Sequence, residues 1–586
     1  MDALRQRAQA AKRALTTKEG FKQAILVEQS NLTKDTGSKA GFAWSNAHLD
    51  PTPPAERTWG YISYGALWIA YGFSTGVWTL GSSMIAKGLT PGQAVVCVFV
   101  AHLMGAIVIV INSRGGAVYH IGYPVYQRIS FGPWGSFMPV LLRTATGLIW
   151  IGVQLYQGGM FTAVMIRAAV GHPWSDIENT LPASAAITTK NLIGTIIFFL
   201  ITLPLLTIKI HKMRYLWIFK VIVLPLAVIP FFAWTVSLSP SDGNNFSTVK
   251  NLSGSELAWM MLSVINSAMG KTSPSQQNAP DLSRYAKNRN APGWPQLITL
   301  PIANTAVACL GIFSTAATSK AWNLKTAIWN PWSLCDEILT RYWSPGTRTA
   351  IFLVALCWTF SIVVSNAAVN ILPFGADIAA LCPRYLSINR GQFVGTCLGL
   401  VIQPWYILAS ATSFMAFLSG YSLFLAAVVG ISATDYFWRK GNIHVPSLYT
   451  GSKSGAYYGS YGFSWRAQVA FWFAIWPTLP GFAGTFPGNK VSAAWTHLYY
   501  ISWLFALVTS AAIYFTLVYF FPPASITEAR KARFEQWADD QRALLDGEVS
   551  VEAVTAAKLG SEVDLEAKKQ EGEGDVVPVA PYEGRV

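Results

Sequence analysis

Charged side chains are scarce in this chain of 586 residues, because Asp, Glu, Lys and Arg together make up only 12% of it. A soluble globular protein carries roughly 25% charged residues. The deficit is caused by long apolar runs, for example 94–111, 192–208, 221–238, 351–371 and 501–521. Several of these runs approach the ~20 residues that a helix needs to cross a bilayer. The shortage of charge therefore excludes an ordinary soluble protein and predicts a polytopic membrane protein.

Cysteine and histidine are also few and scattered. The six Cys residues show no CxxC spacing, so neither a disulfide framework nor a metal site is expected. The seven His residues do not cluster like metal ligands, and a Walker loop, a GxSxG turn and an HExxH motif are all missing. We therefore predict no cofactor, no bound metal and no enzymatic activity. The default energy source is an ion gradient rather than ATP.

The net charge of +14 does not indicate a nucleic-acid partner, because of where the charges lie. Positive charges occupy the tail before the first apolar run and short loops such as 209–214, 284–289 and 438–440. Acidic residues such as Asp176 and Glu178 lie in the intervening loops. This alternation is the positive-inside asymmetry of membrane proteins, whose main partner is the lipid bilayer.

Twelve membrane spans are predicted from the apolar runs, and they are numbered here in chain order. They cover residues 62–85, 91–111, 137–167, 190–209, 215–237, 255–277, 296–318, 347–372, 391–409, 412–436, 466–485 and 496–521. An even number puts both termini on one side of the membrane, and the basic N-terminal tail puts that side in the cytosol.

Three spans contain polar stretches that a simple apolar helix would not carry. Span 1 contains YGFSTGVW (71–78), span 6 contains NSAMGKTSPSQQN (266–278), and span 8 contains SNAAVN (365–370). Gly and Ser in a single helix are ordinarily packing residues. Breaks at corresponding places in spans 1 and 6 are instead typical of transporters built from inverted repeats, with the ligand at the middle of the membrane. We therefore expect interrupted helices in spans 1 and 6.

This interpretation divides the chain into four regions. They are a cytosolic N-terminal tail (1–58), an inverted-repeat transport core of spans 1–10 (59–436), spans 11 and 12 with the preceding cytosolic loop (437–521), and a cytosolic C-terminal tail (522–586). In the last region, residues 526–545 can form an amphipathic helix beside the membrane. Trafficking machinery that attaches ubiquitin is a possible partner there, although a solvated tail is the simpler interpretation of any single lysine among Lys558, Lys568 and Lys569.

Lys271 in span 6 is the most informative single residue. A charged side chain at the centre of a membrane helix costs about 2.5–3.5 kcal/mol on insertion scales, so it normally faces a cavity or a partner. It directly follows Gly270, at the expected break. We expect Lys271 to donate to a substrate carbonyl or to take part in proton coupling. A structural cation that caps carbonyls of a broken helix is the alternative.

Two polar pairs spaced by four residues lie on spans 3 and 8. Trp150 and Gln154 share one face of span 3, and Asn366 and Asn370 share one face of span 8. An indole can stack on a planar ring, and an amide offers donors and an acceptor to a ring with adjacent N–H and C=O groups. We predict that these residues form a heterocycle pocket. Interhelical hydrogen bonding that only holds the bundle together is the alternative.

Four other charges near the membrane ends are expected to have ordinary roles. Arg143 and Lys220 lie early in spans 3 and 5, where long side chains can snorkel to the interface. Asp377 follows span 8 and is expected to pair with a cytosolic cation. Asp435 ends span 10 beside Arg439.

Four segments of the chain resemble the nucleobase–cation symporter-1 family, specifically its fungal uracil/allantoin (uric acid) permease branch. They are PPAERTWGYISYGALWIA (53–70), GLIWIGVQLYQGG (147–159), MGKTSPSQQNAPDLSRYAK (269–287) and SNAAVNILPFGADIAALCPRYLSINRGQ (365–392). The resemblance implies an all-α polytopic membrane protein with a LeuT-like 5+5 inverted repeat and two extra helices. It also implies alternating access to a substrate held between helices 1, 3, 6 and 8.

The resemblance also implies roles for individual residues. Trp150 would stack on the substrate ring, Gln154 and Asn370 would hydrogen-bond to it, and Lys271 stands where bacterial members place a second stacking aromatic. Trp59 would gate the cytosolic side. The family's cation site corresponds to backbone and side chains of Ala70, Phe73, Ser361, Val364 and Ser365. Since Val364 has no hydroxyl where sodium-using members have one, the resemblance favours H⁺ over Na⁺ as the coupling ion.

The sequence therefore predicts a secondary active, proton-coupled importer of a nucleobase or related heterocycle, such as uracil, allantoin or uric acid, in a fungal plasma membrane. Within the family, the alternatives are uridine, thiamine, nicotinamide riboside, cytosine or purines, and pyridoxine. Two alternatives lie outside transport. A nutrient sensor of the same fold could lack coupling residues and carry a larger signalling tail, and a membrane-embedded enzyme would need clustered catalytic groups in the spans.

Overall fold

The structure is a computed structural model that describes most of the chain. The described residues are Thr17, Leu26, Val27, Ser30, 45–208, 213–239, 252–453, 455–486 and 488–540. The expectations for most of the N-terminal tail, for the basic loop after span 4 and for the three tail lysines lie outside them. Within the described part the chain is helical, with two isolated β-bridges and no longer strand.

Each predicted span is occupied by one helix or by two consecutive helices. In span order they are Tyr61–Gly72 with Thr75–Ala86, Pro91–Tyr119, Phe137–Val170, Thr189–Leu205, Met213–Ser237, Gly254–Ser283, Trp294–Ala321, Pro345–Asn366 with Leu372–Leu381, Ile388–Val401, Ala411–Trp438, Trp465–Ile475 with Leu479–Ala483, and Ala493–Tyr499 with Ser502–Phe520. Among the described residues, seven helices are long and apolar enough to cross a membrane unaided. Two further helices, Tyr123–Phe131 and Pro331–Arg341, lie in the loops after spans 2 and 7.

The helices of the core pack in two groups. Spans 2 and 7 pack against each other, span 2 also packs on span 6, and span 7 also packs on both halves of span 1. In the second group, span 3 contacts spans 4, 8 and 9. Corresponding spans of the two predicted repeats, such as 1 and 6 or 3 and 8, thus fall in the same group, as expected for an inverted repeat. Spans 10–12 pack together beside span 6.

Span 1 is interrupted, as predicted. Its first helix ends at Gly72 and its second begins at Thr75, while Phe73 and Ser74 have non-helical backbone conformations. Glycine is required at the break because a Cβ on Gly72 would lie 2.9 Å from the backbone carbon of Ala303 in span 7.

The predicted interruption of span 6 is wrong, because Gly254–Ser283 is one continuous helix. Pro274 lies inside it and has no N–H to donate to the carbonyl of Gly270. The hydroxyl of Tyr421 in span 10 donates to that carbonyl instead, at 2.6 Å. In a membrane, freed backbone groups must be satisfied by the protein itself, and here a neighbouring helix does so without breaking span 6.

A second proline in span 6 is accommodated in the same way. Pro280 leaves the carbonyl of Gln276 without its helical donor. The side-chain amide of Asn112 in span 2 donates to this carbonyl at 2.7 Å. Both prolines therefore tie span 6 to its neighbours rather than ending it.

Span 8 changes its helical geometry at its polar stretch. Between Pro345–Asn366 and Leu372–Leu381, the residues Ala367–Ile371 form a π-helical turn. Such single turns recur at functional sites in helices, and this one contains Asn370.

The expectation that Arg143 and Lys220 snorkel is wrong, since both side chains are buried. Arg143 Nε donates to Asp377 at 2.8 Å, and its Nη1 lies 2.5 Å from Asp281 of span 6. A buried charge needs such partners to offset its lost hydration. The partner of Asp377 is thus an arginine within the bundle, which joins spans 3, 6 and 8 near their predicted cytosolic ends. Lys220 is described with the site below.

The C-terminal segment folds back onto the same end of the bundle. The predicted amphipathic helix is divided into Ala524–Lys531 and Gln536–Asp540, and its last residues lie outside the described part of the chain. Between the two helices, the buried carboxylate of Glu535 lies 2.9 Å from Arg114 of span 2 and 2.9 Å from Arg289 after span 6. Charge pairing therefore attaches this segment to the core.

Candidate functional site

A small cavity of about 20 Å³ lies where spans 1, 3, 6 and 8 meet. This volume holds about one water molecule, so the wall side chains must separate to admit a heterocycle. Four of the five predicted substrate residues, Trp150, Gln154, Lys271 and Asn370, line it. The remaining lining residues are Tyr71, Ser74, Pro274, Ser275, Ser365 and Val369.

Span 3 supplies an aromatic face and an amide to this cavity. Trp150 and Gln154 are both buried and lie one turn apart. Trp150 Nε1 donates to the hydroxyl of Tyr421 at 3.0 Å, which fixes the orientation of the indole. Gln154 Oε1 is buried and has no hydrogen-bond partner among the described residues. An unsatisfied buried acceptor is costly, so this oxygen is suited to receive a hydrogen bond from a ligand.

Span 6 supplies an ammonium group. Lys271 Nζ donates to the Tyr71 hydroxyl at 2.8 Å and lies 4.3 Å from the centre of the Tyr71 ring. It lies 5.2 Å from the centre of the Trp150 ring. The aliphatic part of the side chain passes Gly76, where a Cβ would lie 2.8 Å from Lys271 Cε. Ring faces and a hydroxyl thus hold the cation, beside the face on which a ligand could stack.

Span 8 supplies a second amide, oriented by a third. Asn370 Nδ2 donates to Asn366 Oδ1 at 3.0 Å, and Asn366 Nδ2 donates to the carbonyl of Ile151 in span 3 at 3.3 Å. Asn366 is fully buried and does not line the cavity. The Asn366 side chain therefore links Asn370 of span 8 to the backbone of span 3.

The residues assigned by resemblance to a cation site lie between spans 1 and 8. Ser361 Oγ donates at 3.0 Å to the carbonyl of Phe73, at the break in span 1. Ala70, three residues before Phe73 in span 1, is buried. Ser365 Oγ accepts a hydrogen bond from Lys220 Nζ at 2.5 Å. Sequence reasoning missed this contact, although a lysine inside an otherwise apolar span was a signal for it.

Trp59 is fully buried where the chain enters span 1. The backbone N–H of Trp59 donates to the carbonyl of Tyr285 at 3.0 Å, and its backbone carbonyl accepts from the N–H of Lys287 at 2.9 Å. Its ring packs edge-on against Trp217 of span 5, with centroids 5.0 Å apart. The indole thus fills the space between span 1, span 5 and the loop after span 6.

Several residues at or beside the cavity were not predicted as site residues, among them Tyr71, Ser74 and Tyr421. Tyr71 and Ser74 belong to the polar stretch of span 1, which was itself the signal for them. Tyr421 lies in an apolar run, and only the packing of span 10 brings it to Trp150. Gln157, three residues after Gln154 in span 3, accepts a hydrogen bond from Thr75 at 2.6 Å and joins spans 1 and 3.

Comparisons with known proteins agree with this architecture. The family model for permeases of cytosine/purines, uracil, thiamine and allantoin matches residues 51–505. The allantoin permease of Saccharomyces cerevisiae is 31% identical over 521 residues, which cover 86% of this chain and 81% of that permease. The uracil permease of the same yeast is 29% identical over 507 residues, with 84% and 79% covered.

Two solved structures share the fold. Mhp1, a nucleobase-cation-symport-1 family transporter in a closed conformation with bromovinylhydantoin bound, aligns with a TM-score of 0.60 at 19% identity, covering 83% of this chain and 99% of Mhp1. A Na⁺-coupled sialic acid symporter aligns with a TM-score of 0.51 at 10% identity, covering 84% and 94%. These matches confirm the predicted fold class. The permease relatives also confirm a transporter rather than an enzyme.

Proposed function

The chain belongs to the family of permeases for cytosine/purines, uracil, thiamine and allantoin, and we propose that it imports a small uncharged or weakly acidic heterocycle. Uracil, allantoin and uric acid are the candidate substrates, and a fungal plasma membrane is the proposed location. The observation that carries the proposal is the convergence of an aromatic face, an unpartnered amide oxygen, a second amide and an ammonium group on one mid-membrane cavity.

The proposed roles follow from the chemistry of each group. The ring stacks on Trp150, a ring N–H donates to Gln154 Oε1, Asn370 bonds to the ring edge, and Lys271 Nζ donates to a ring carbonyl. Asn366, predicted as a direct contact, is proposed instead to orient Asn370. Substrate entry separates these side chains and alternately exposes the cavity to the two sides of the membrane.

Charge separates the candidate substrates into two classes. Relatives of this chain include a nicotinamide riboside transporter and a thiamine transporter, both from Saccharomyces cerevisiae, and these two compounds carry a permanent positive charge. A cationic ring on Trp150 would lie beside the Lys271 ammonium, which is 5.2 Å from the indole centre. Like charges at that distance repel. The cavity therefore favours neutral or weakly acidic rings over the cationic alternatives. Charge does not separate uridine, cytosine, purines and pyridoxine from the candidate substrates, so competition assays must do so.

For coupling, we propose H⁺ rather than Na⁺. Lys271 is the proposed contributor in the cavity, together with the span 1–span 8 contact formed by Ala70, Phe73, Ser361 and Ser365. Tyr71 of span 1 and Trp150 of span 3 contact Lys271, and His102 of span 2 and Lys220 of span 5 interact with it electrostatically. Replacement of Lys271 by a neutral residue should change the pH profile of uptake, and an unchanged profile with intact uptake would leave Lys271 a structural role only.

For gating and topology, we propose that Trp59 closes the cytosolic side and that both tails are cytosolic. The buried packing of Trp59 against spans 1 and 5 supports the first part. The basic loops support the second. Under this proposal the C-terminal tail is open to the ubiquitin and trafficking machinery. The proposed regions 1–58, 59–436, 437–521 and 522–586 follow this topology.

The test is uptake of radiolabelled uracil, allantoin and uric acid, with unlabelled competitors, in yeast that lacks its own permeases. Gln154→Ala and Asn370→Ala should abolish uptake, with the protein still at the cell surface, because each removes a hydrogen-bonding edge of the site. Asn489→Ala, in a loop at the end of span 11, is the matched control and should transport normally. Normal uptake in both cavity variants would refute the site.

A further inference from the structure

Lys220 places a positive charge at the contact between spans 1 and 8. It belongs to span 5, which packs against the first helix of span 1 and against span 8. The side chain is 1% exposed, and its Nζ donates to Ser365 Oγ at 2.5 Å. Ser365 also lines the substrate cavity. A lysine buried within a membrane span is a candidate functional residue unless its side chain reaches the interface. The Lys220 side chain does not reach it.

The end of the first helix of span 1, which Ser361 contacts, suits a cation. The first helix of span 1 ends at Gly72, and helix C-termini carry partial negative charge on their free carbonyls. Ser361, one turn before Ser365, bonds to the carbonyl of Phe73 at that same end. An ammonium group has three donors, one of which Lys220 uses on Ser365, whereas Na⁺ would need several oxygen ligands.

The same residues do not fit an exchangeable Na⁺. Ser365 Oγ is already an acceptor for Lys220, and Val364 offers no side-chain oxygen. A metal ion beside Ser365 would also face a like charge within a few ångströms. Lys271, from span 6, adds a second positive charge that interacts with Lys220.

We propose that the Lys220 ammonium is a resident cation that takes the place of Na⁺ between spans 1 and 8, so that the transport cycle uses no free metal cation. The charge is tethered to span 5 and holds the first helix of span 1 and span 8 in register. The uptake test of this inference rests on the proposed transport function. The binding test does not depend on transport.

Binding of ²²Na⁺ to the purified full-length protein is the first measurement. The wild type should show no saturable binding, while Lys220→Ser, which removes the charge and adds an oxygen, should gain it. Lys190→Ser, at the outer end of span 4, is the control and should bind none. Saturable binding to the wild type, or none to a folded Lys220→Ser protein, would overturn the proposal.

Uptake in NaCl and in choline chloride is the second measurement. Wild-type uptake should differ by less than twofold between the two salts. Lys220→Ser should lose at least tenfold in choline and regain part of it in NaCl. A tenfold loss of wild-type uptake without Na⁺ would overturn the proposal. This result does not depend on whether the variant folds. If the wild type transports no heterocycle, the proposed function fails, and the binding measurement still decides the role of Lys220.

Discussion

Replacement of Lys271 by glutamine tests whether one buried charge selects the substrate class. The ammonium lies 2.8 Å from the Tyr71 hydroxyl and 5.2 Å from the centre of the Trp150 ring. Glutamine keeps a hydrogen-bond donor, one bond closer to the backbone, and removes the charge. Neutral rings should therefore lose little binding, whereas cationic rings should gain.

The expected gain follows from Coulomb's law. For a charge separation of about 5 Å and an effective dielectric constant of about 20, the repulsion between Nζ and a positive ring stacked on Trp150 is about 3 kcal/mol. Since 1.4 kcal/mol corresponds to a factor of ten in affinity, removal of the charge should raise the affinity for a cationic ring roughly a hundredfold.

The assay compares ligand-induced thermal stabilisation of purified wild-type and Lys271→Gln protein by thiamine and by uracil, so it does not require transport. Thiamine should stabilise only the variant, and uracil should stabilise both. Lys190→Gln removes a charge outside the cavity and should behave like the wild type. Equal thiamine affinities in wild type and Lys271→Gln would refute the electrostatic basis of selectivity.

Two further predictions concern the ion network and the topology. Asp377→Asn leaves Arg143 partly unpaired in a buried site, so the protein should lose about 3–5 kcal/mol of stability. Its melting temperature in detergent should therefore fall. An unchanged melting temperature would show that Asp281 alone is a sufficient partner for Arg143. Cys382 is exposed in the loop after span 8, which is cytosolic under the proposed topology, so an impermeant maleimide should label it only after permeabilisation of the cells. Cys335, on the outer side under the proposed topology, should stay unlabelled because it is buried and burial raises the pKa of its thiol. Labelling of Cys382 in intact cells would invert the topology.

Much of the candidate site was predictable because its residues repeat at helical spacing within apolar spans. Trp150 and Gln154 lie on one face of a helix wherever that helix packs, and a lysine beside Gly270 must find a cavity or partner. The shared helix face of Asn366 and Asn370 was also predictable. That only Asn370 lines the cavity was not predictable. The π-helical turn that begins after Asn366 places Asn370 at the cavity, while Asn366 bonds to span 3.

The sequence by itself determined the number and positions of the helical spans, the break in span 1 and the chemical types that meet at mid-membrane, because these depend on local composition and spacing. The tertiary structure decided whether prolines break span 6 and where buried charges find partners. Pro274 frees a carbonyl in either case, but only the packing of span 10 brings the Tyr421 hydroxyl to it. Lys220 has the same local sequence signal as a snorkelling lysine, and only the contact of span 5 with span 8 turns it toward Ser365.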